Sequence, residues 1–178
     1  MKFANRNYWV ISDTHFGHDN ILNFEGCSRG ARFTDVNHMN ETIIDNWNRT
    51  VGPSDYVYHL GDVFFGSKEK FEKIMPRLNG SKRLIVGNHD NIPYLTGTGF
   101  FKKIVMWYMM PHHRMVLTHV PIHMDPVGNH HEKYDFNVHG HIHDDNSPTR
   151  LHKNVCVEKV DYTPQNVEAI ASELRRRL

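Results

Sequence analysis

The chain has 178 residues, 39% hydrophobic and 23% charged, with a formal net charge of +1 when histidine is neutral. This is the size and balance of one globular domain spanning 1–178, not of a disordered polyelectrolyte. The charge excludes the basic stripe that non-specific duplex binding requires, and no apolar run reaches the roughly 18 residues of a membrane-spanning helix.

The first seven residues lack the apolar stretch of a signal peptide, so a cytoplasmic location with no membrane partner is expected. Cys27 and Cys156 form no CxxC pair and are expected to be small buried or half-buried apolar residues. Histidine is the outlier, at 15 residues, and its placement carries the argument.

In chain order, 7–12 is predicted as a short buried strand, aromatic and β-branched. Met39, Ile43, Ile44, Trp47 and Val51 recur at helical spacing. Further strands are predicted at 55–60 and 82–86, and at 101–109, 114–118, 136–140 and 154–160. Ser67 is a candidate cap for a helix with Phe71, Ile74, Met75 and Leu78 on its inner face and Pro76 near its end. The last helix is predicted to start at an N-cap Thr163 with Pro164 in its first turn. Its apolar face is Val167, Ile170, Ala171, Leu174 and Leu178. Strands alternate with helices in the first half and cluster in the second, which gives an α/β fold with mixed sheets and covering helices. The loops 24–37 and 120–135 are long enough to be functional.

Five apolar stretches run into polar clusters: Asp13-Thr14-His15, Gly61-Asp62, Gly87-Asn88-His89-Asp90, Thr118-His119 and Gly140-His141-Ile142-His143. Ligands of open α/β sheets bind at the carboxyl ends of strands, so these clusters are expected to converge on one site. Gly61, Gly87 and Gly140 would let the backbone turn sharply beside it. On an extended strand, Asp13 and His15 would point the same way, as would His141 and His143. Imidazole, carboxylate and amide oxygen without thiolate suit Mn²⁺, Fe, Zn²⁺, Ni²⁺ or Co²⁺. Two such ions would clamp an oxyanion and activate a water.

This ordered series resembles the calcineurin-like metallophosphoesterase superfamily, and the matching motifs span residues 13–143. The short chain and the text Ile11-Ser12-Asp13-Thr14-His15-Phe16-Gly17-His18 look like its compact, cap-less bacterial, archaeal or phage members. The resemblance implies a four-layer α/β/β/α sandwich of two mixed sheets flanked by helices. It implies two divalent metals, Mn²⁺ foremost: Asp13, His15 and His143 on the first, Asp62 bridging, and Asn88, His119 and His141 on the second. It further implies attack on phosphorus by a hydroxide bridging the metals, with His89 contacting the phosphoryl oxygen as general acid. Asp90 would orient His89 or serve the turn.

The expected substrate is a small phosphodiester before a phosphomonoester. The alternatives are a nuclease or RNA-processing phosphodiesterase acting on short single strands, and a non-catalytic module of the same fold. His18, Arg29 and Arg32 are candidate substrate contacts. His59 and His139 are expected to be structural, His38 and His152 surface residues, His112 and His113 a solvated turn, and His123, His130 and His131 candidates for the mouth of the site.

Overall fold

The computed structural model describes residues 6–24, 27–124 and 134–178. In chain order the elements are β1 (Tyr8–Ile11), α1 (Arg29–Arg32), α2 (Val36–Thr50), β2 (Tyr56–His59), α3 (Lys68–Ile74), β3 (Ser81–Ile85) and α4 (Ile92–Thr98). Then follow β4 (Phe101–Val105), β5 (Trp107–Met110), β6 (Met115–Thr118), β7 (Phe136–His139), β8 (His152–Asn154), β9 (Gln165–Asn166) and α5 (Val167–Arg175). They form a mixed α/β sandwich: a five-stranded sheet ordered β4-β3-β2-β1-β9 and a four-stranded sheet ordered β5-β6-β7-β8. Among the described residues, no helix is long and apolar enough to cross a membrane.

Strand alternation gives each sheet two faces to bury. In the first sheet Ile11, Val57 and Leu84 face one way and pack against Met39, Ile43 and Trp47 of α2 and Phe71 of α3. Their neighbours Val10, Tyr58 and Ile85 face the other way, meeting Met115, Leu117, Phe136 and Val138 of the second sheet and Ile170 and Leu174 of α5. Burying each large apolar side chain stabilises the fold by about 1.5–3 kcal/mol, so both faces resist a one-residue register slip.

Three caps agree with local chemistry. Asp35 accepts from the amide of His38 at the start of α2; Ser67, the predicted cap, accepts from that of Lys70 at the start of α3. Pro76 converts the end of α3 into a short 3₁₀ turn. Asn91 caps α4, which carries Pro in its first turn and ends on Gly99 at φ 70°.

The structure corrects three element predictions. The stretch 101–109 is two strands in different sheets, because the chain crosses between the sheets at Met106. The stretch 154–160 is not a strand: after β8 a 3₁₀ turn at Val157–Val160 buries its apolar side chains instead. Thr163 is not the cap of the last helix, since residues 165–166 first pair antiparallel with β1 at Trp9 and Val10. Asn166 caps α5, its side chain accepting from the amides of Glu168 and Ala169.

The parallel pairs β1–β2, β2–β3, β6–β7 and β7–β8 align their carboxyl ends. The sheets also meet there: Ser12 bridges Cys156, its amide donating to Val155 O and its carbonyl accepting from the Val157 amide. All five polar clusters leave this one end.

Candidate metal centre

The loops after β1 and β2 are zipped together, with the amides of Asp13, His15 and Phe16 donating to the carbonyls of Gly61, Asp62 and Val63. The loops after β6 and β7 join through the Gly140 amide and His119 O at 2.8 Å. The Asp90 carboxylate fastens the β2 and β3 loops, accepting from the amides of Asp62 (3.0 Å), Val63 (3.0 Å) and Gly87 (2.8 Å). Asp90 therefore serves the turn. Burial raises its pKa against these three amide bonds.

The side chains converge by backbone turns, not by strand alternation, which corrects the extended geometry expected for both alternating pairs. Among the described residues eight that are not glycine have positive φ, and five of them are candidate ligands: Asp13 (57°), His15 (45°), Asp62 (55°), His141 (72°) and His143 (44°). That conformation costs a residue with a Cβ roughly 1–2 kcal/mol, and such strain gathers where the fold holds side chains in place for a purpose. Two glycines admit the crowding. Gly61 has φ 94°, and a Cβ there would overlap Gly87 and the His119 ring. A Cβ at Gly140 would overlap the Ser12 hydroxyl and the Asp13 carboxylate.

Ligand-competent atoms of Asp13, His15 and His143 lie within 4.8 Å of one another, as do those of Asp13, Asp62 and His119. Asp62 joins the groups: its Oδ2 is 3.6 Å from Nε2 of His15 and 3.6 Å from Nε2 of His119. Around His119 the acceptors are arranged tightly. Its Nδ1 lies 2.7 Å from Leu60 O, which only accepts, so Nδ1 carries the proton and a neutral ring leaves a lone pair on Nε2. That lone pair faces Asn88 Oδ1 at 2.8 Å and His141 Nδ1 at 3.2 Å. In the same way His143 Nδ1, 2.9 Å from Glu158 Oε1, is set to donate and frees its other nitrogen.

Burial sharpens the case for a cation. Asp13 is fully buried, and burial raises its pKa despite His119 and His143 nearby. Its Oδ2 accepts from the His141 amide and the Cys156 thiol, while its Oδ1 has no hydrogen-bond partner among the described residues. Both ring nitrogens of buried His15 also lack one, and burial, then the Arg29 charge, push its pKa down to about 2. Unpaired buried polar atoms are costly; a neutral imidazole beside a carboxylate is a metal-ligand arrangement. The donor set fits divalent cations.

The remaining predicted residues divide. The side chains of His89 and Asn88 are exposed at the rim, and the His89 amide donates to Asp62 Oδ1 at 2.9 Å. The rings of His89 and His15 are 5.8 Å apart. Half-buried His18 sits beside the site, 5.5 Å from the His15 ring and 4.4 Å from that of Phe65. Arg29 is not a substrate contact: it is fully buried and donates to Glu158 and to the carbonyls of Asp13 and Thr14. Arg32 is an exposed arginine, paired with Asp161 at 2.5 Å and lying over Tyr162.

His59 and His139 are buried and hydrogen-bonded, to Thr14 and to Gly140 O and Ser147, as structural histidines should be. His152 is also buried, between Thr149 and Ile122 O, and is not a surface residue. His38 and His123 are exposed, and His112 and His113 form a 3₁₀ turn. His130 and His131 lie outside the described residues.

Sequence reasoning missed Glu158, Arg29 as a structural ion, and the Cys156 thiol, whose pKa is pushed well up by burial and then by Asp13, so that it stays a donor. A cavity of about 530 Å³ opens beside the cluster, lined by Asn88, His119, Met106, Trp107, Ile122 and Tyr134 among others.

No family model matches the chain. It is 32% identical over 182 residues, 96% of this chain and 93% of the relative, to the uncharacterized protein MJ1445 of Methanocaldococcus jannaschii. It is 30% identical over 110 residues to the gene 66 protein of Mycobacterium phage L5, covering 60% of this chain and 50% of that protein. Among solved structures, the crystal structure of the protein of unknown function AQ665 from Aquifex aeolicus superposes with a TM-score of 0.74 at 29% identity. The match covers 94% of this chain and 99% of that one. By identity and coverage, the chain belongs to the family of MJ1445 from Methanocaldococcus jannaschii.

Proposed function

We propose that the chain is a dinuclear metal-dependent phosphoesterase whose substrate is a small phosphodiester. The observation that carries this reading is the set of acceptors gathered around Asp62: the carboxylate lies 3.6 Å from Nε2 of both His15 and His119, and the Leu60 carbonyl fixes the His119 tautomer that leaves Nε2 free. Asp13, His15 and His143 would hold one ion, Asn88, His119 and His141 the other, and Asp62 both. When bound, Mn²⁺ or a similar pair supplies Lewis acidity for the phosphoryl oxygens and a water nucleophile usable at neutral pH.

The chain's own residues do the rest. Asp62 is steadied by the His89 amide on its Oδ1, and its backbone by Asp90. The exposed His89 ring stands at the rim, where it can hold a phosphoryl oxygen and pass a proton from a ring nitrogen to the leaving oxygen. His18, backed by Phe65, lines the same approach. The cavity beside Asn88 and His119 gives room for a second ester substituent, which favours a diester over a monoester.

The test is hydrolysis by the Mn²⁺-loaded protein of bis-p-nitrophenyl phosphate against p-nitrophenyl phosphate. The diester should be preferred, and Asp62→Asn should abolish turnover. A metal-loaded protein silent on both esters would refute the assignment. His89→Ala should retain metal and lose about 10²–10⁴-fold in kcat, the range of general acid help.

A further inference from the structure

We infer that Glu158, locked by Arg29, is a positioning residue that holds His143 in its Nδ1–H tautomer and presents Nε2 to the Asp13–His15 group. The value of that lone pair for metal binding rests on the proposed function; the tautomer itself does not.

Both members of the pair are wholly buried, with side-chain exposures of 0%. One oxygen, Glu158 Oε1, receives Arg29 Nε at 2.7 Å, His143 Nδ1 at 2.9 Å and the Cys27 thiol at 3.3 Å. The rest of the guanidinium is spent on the loop after β1, where Nη2 donates to Asp13 O at 2.6 Å and Nη1 to Thr14 O at 3.3 Å. One ion pair therefore ties the His143 loop to the segment carrying Asp13 and His15, whose ring is 5.3 Å from that of His143.

The chemistry explains why a full charge is placed there. A carboxylate accepts but cannot donate, so it admits only the Nδ1–H form of a neutral His143. A histidine whose second nitrogen donates to a carboxylate is a better-oriented and more basic ligand. Arg29 in turn needs Glu158: an uncompensated guanidinium against the Asp13 carbonyl would repel cations from the centre. Cys27, His143 and Glu158 also lie within 4.8 Å of one another, but the guanidinium on the same Glu158 oxygen opposes a further cation among them.

The test compares wild type, Glu158→Leu, and the double variant Arg29→Met/Glu158→Leu. The double variant replaces the buried pair by apolar groups and keeps the protein folded if Arg29 alone destabilises the single one. In the metal-free proteins, at a pH alkaline enough for a neutral His143 ring, ¹⁵N spectra of the histidine rings should show His143 as Nδ1–H in wild type and shifted toward Nε2–H in the variants. Calorimetric titration with Mn²⁺ should show one site weakened about 10–100-fold, the usual effect of losing such a partner, and the other unchanged.

An unchanged His143 tautomer in a folded variant overturns the assignment, and so does equal weakening of both sites. A wild-type protein that binds no Mn²⁺ would sink the phosphoesterase reading instead, while the tautomer would still judge Glu158.

Discussion

Acid should unfold the metal-free protein well above the carboxylate range, through buried neutral histidines. Burial pushes the pKa of His59 down to about 3, of His139 to about 4 and of His15 to about 2. His59 shows why: with Nε2 engaged by Thr14 Oγ1, its Nδ1 has no partner among the described residues to accept a second proton. In the unfolded chain these rings take up protons near pH 6.5. Folded-state values below that mean the unfolded state gains protons first, so stability falls as pH drops from 6.5 toward 4 and levels only below the folded values.

Each ring contributes about 1.4 kcal/mol per pH unit in that window. Between pH 6.5 and 5 the three together remove roughly 5 kcal/mol, the slope being only half its full value at 6.5, comparable with the lower end of the stability of an ordinary domain, about 5–15 kcal/mol. His143, whose pKa is raised because the Glu158 bond and charge outweigh its burial, adds stability as pH falls, but it does so above pH 6.5, between its unfolded and folded values, and has nearly levelled off below that. Urea unfolding in EDTA from pH 7.5 to 5 measures the slope. His59→Gln should remove that ring's share of the slope, to which His18 and His141, also lowered by burial, contribute as well, and narrow its stability deficit at pH 5. A stability flat from pH 7.5 to 5 would refute the reasoning.

Other substitutions test separate parts of the account. Gly140→Ala should leave a folded protein with strongly reduced metal affinity, because its Cβ displaces the Asp13 carboxylate; calorimetry with Mn²⁺ reads this. Asp90→Ala removes the acceptor of three amides. It should cost about 2–4 kcal/mol in urea unfolding, at roughly 1 kcal/mol per bond and more where a donor is left buried. Asn166→Ala removes the cap of α5 and should cost about 1 kcal/mol without touching metal binding. Added Mn²⁺ should raise the thermal midpoint of wild type and leave that of a folded Asp62→Asn variant far less changed.

Much of the site was legible in the sequence because its chemistry is local. Asp13, Asp62, Asn88, His119 and His141 each follow an apolar strand, and parallel pairing brings strand ends together wherever the sequence places them. How the side chains turn was not legible. A DxH pair says nothing about φ, and the left-handed turns at Asp13 and His15 are set by loops zipped to Gly61 and Asp62. Arg29 looked like a loop charge because its partner, Glu158, is 129 positions away in sequence. The crossing at Met106 was hidden since no Gly or Pro interrupts the apolar run there. Sequence reasoning also missed α4 and its cap, although Asn91, a Pro two residues on and Gly99 at the end are local helix signals.

The central claim is that two ions share Asp62, and anomalous scattering from crystals grown with Mn²⁺ tests it most directly. The account predicts two peaks about 3.5–4 Å apart, both within bonding distance of the Asp62 carboxylate, one beside His15 and His143 and the other beside Asn88 and His119. A single peak, or two that do not share Asp62, would contradict it.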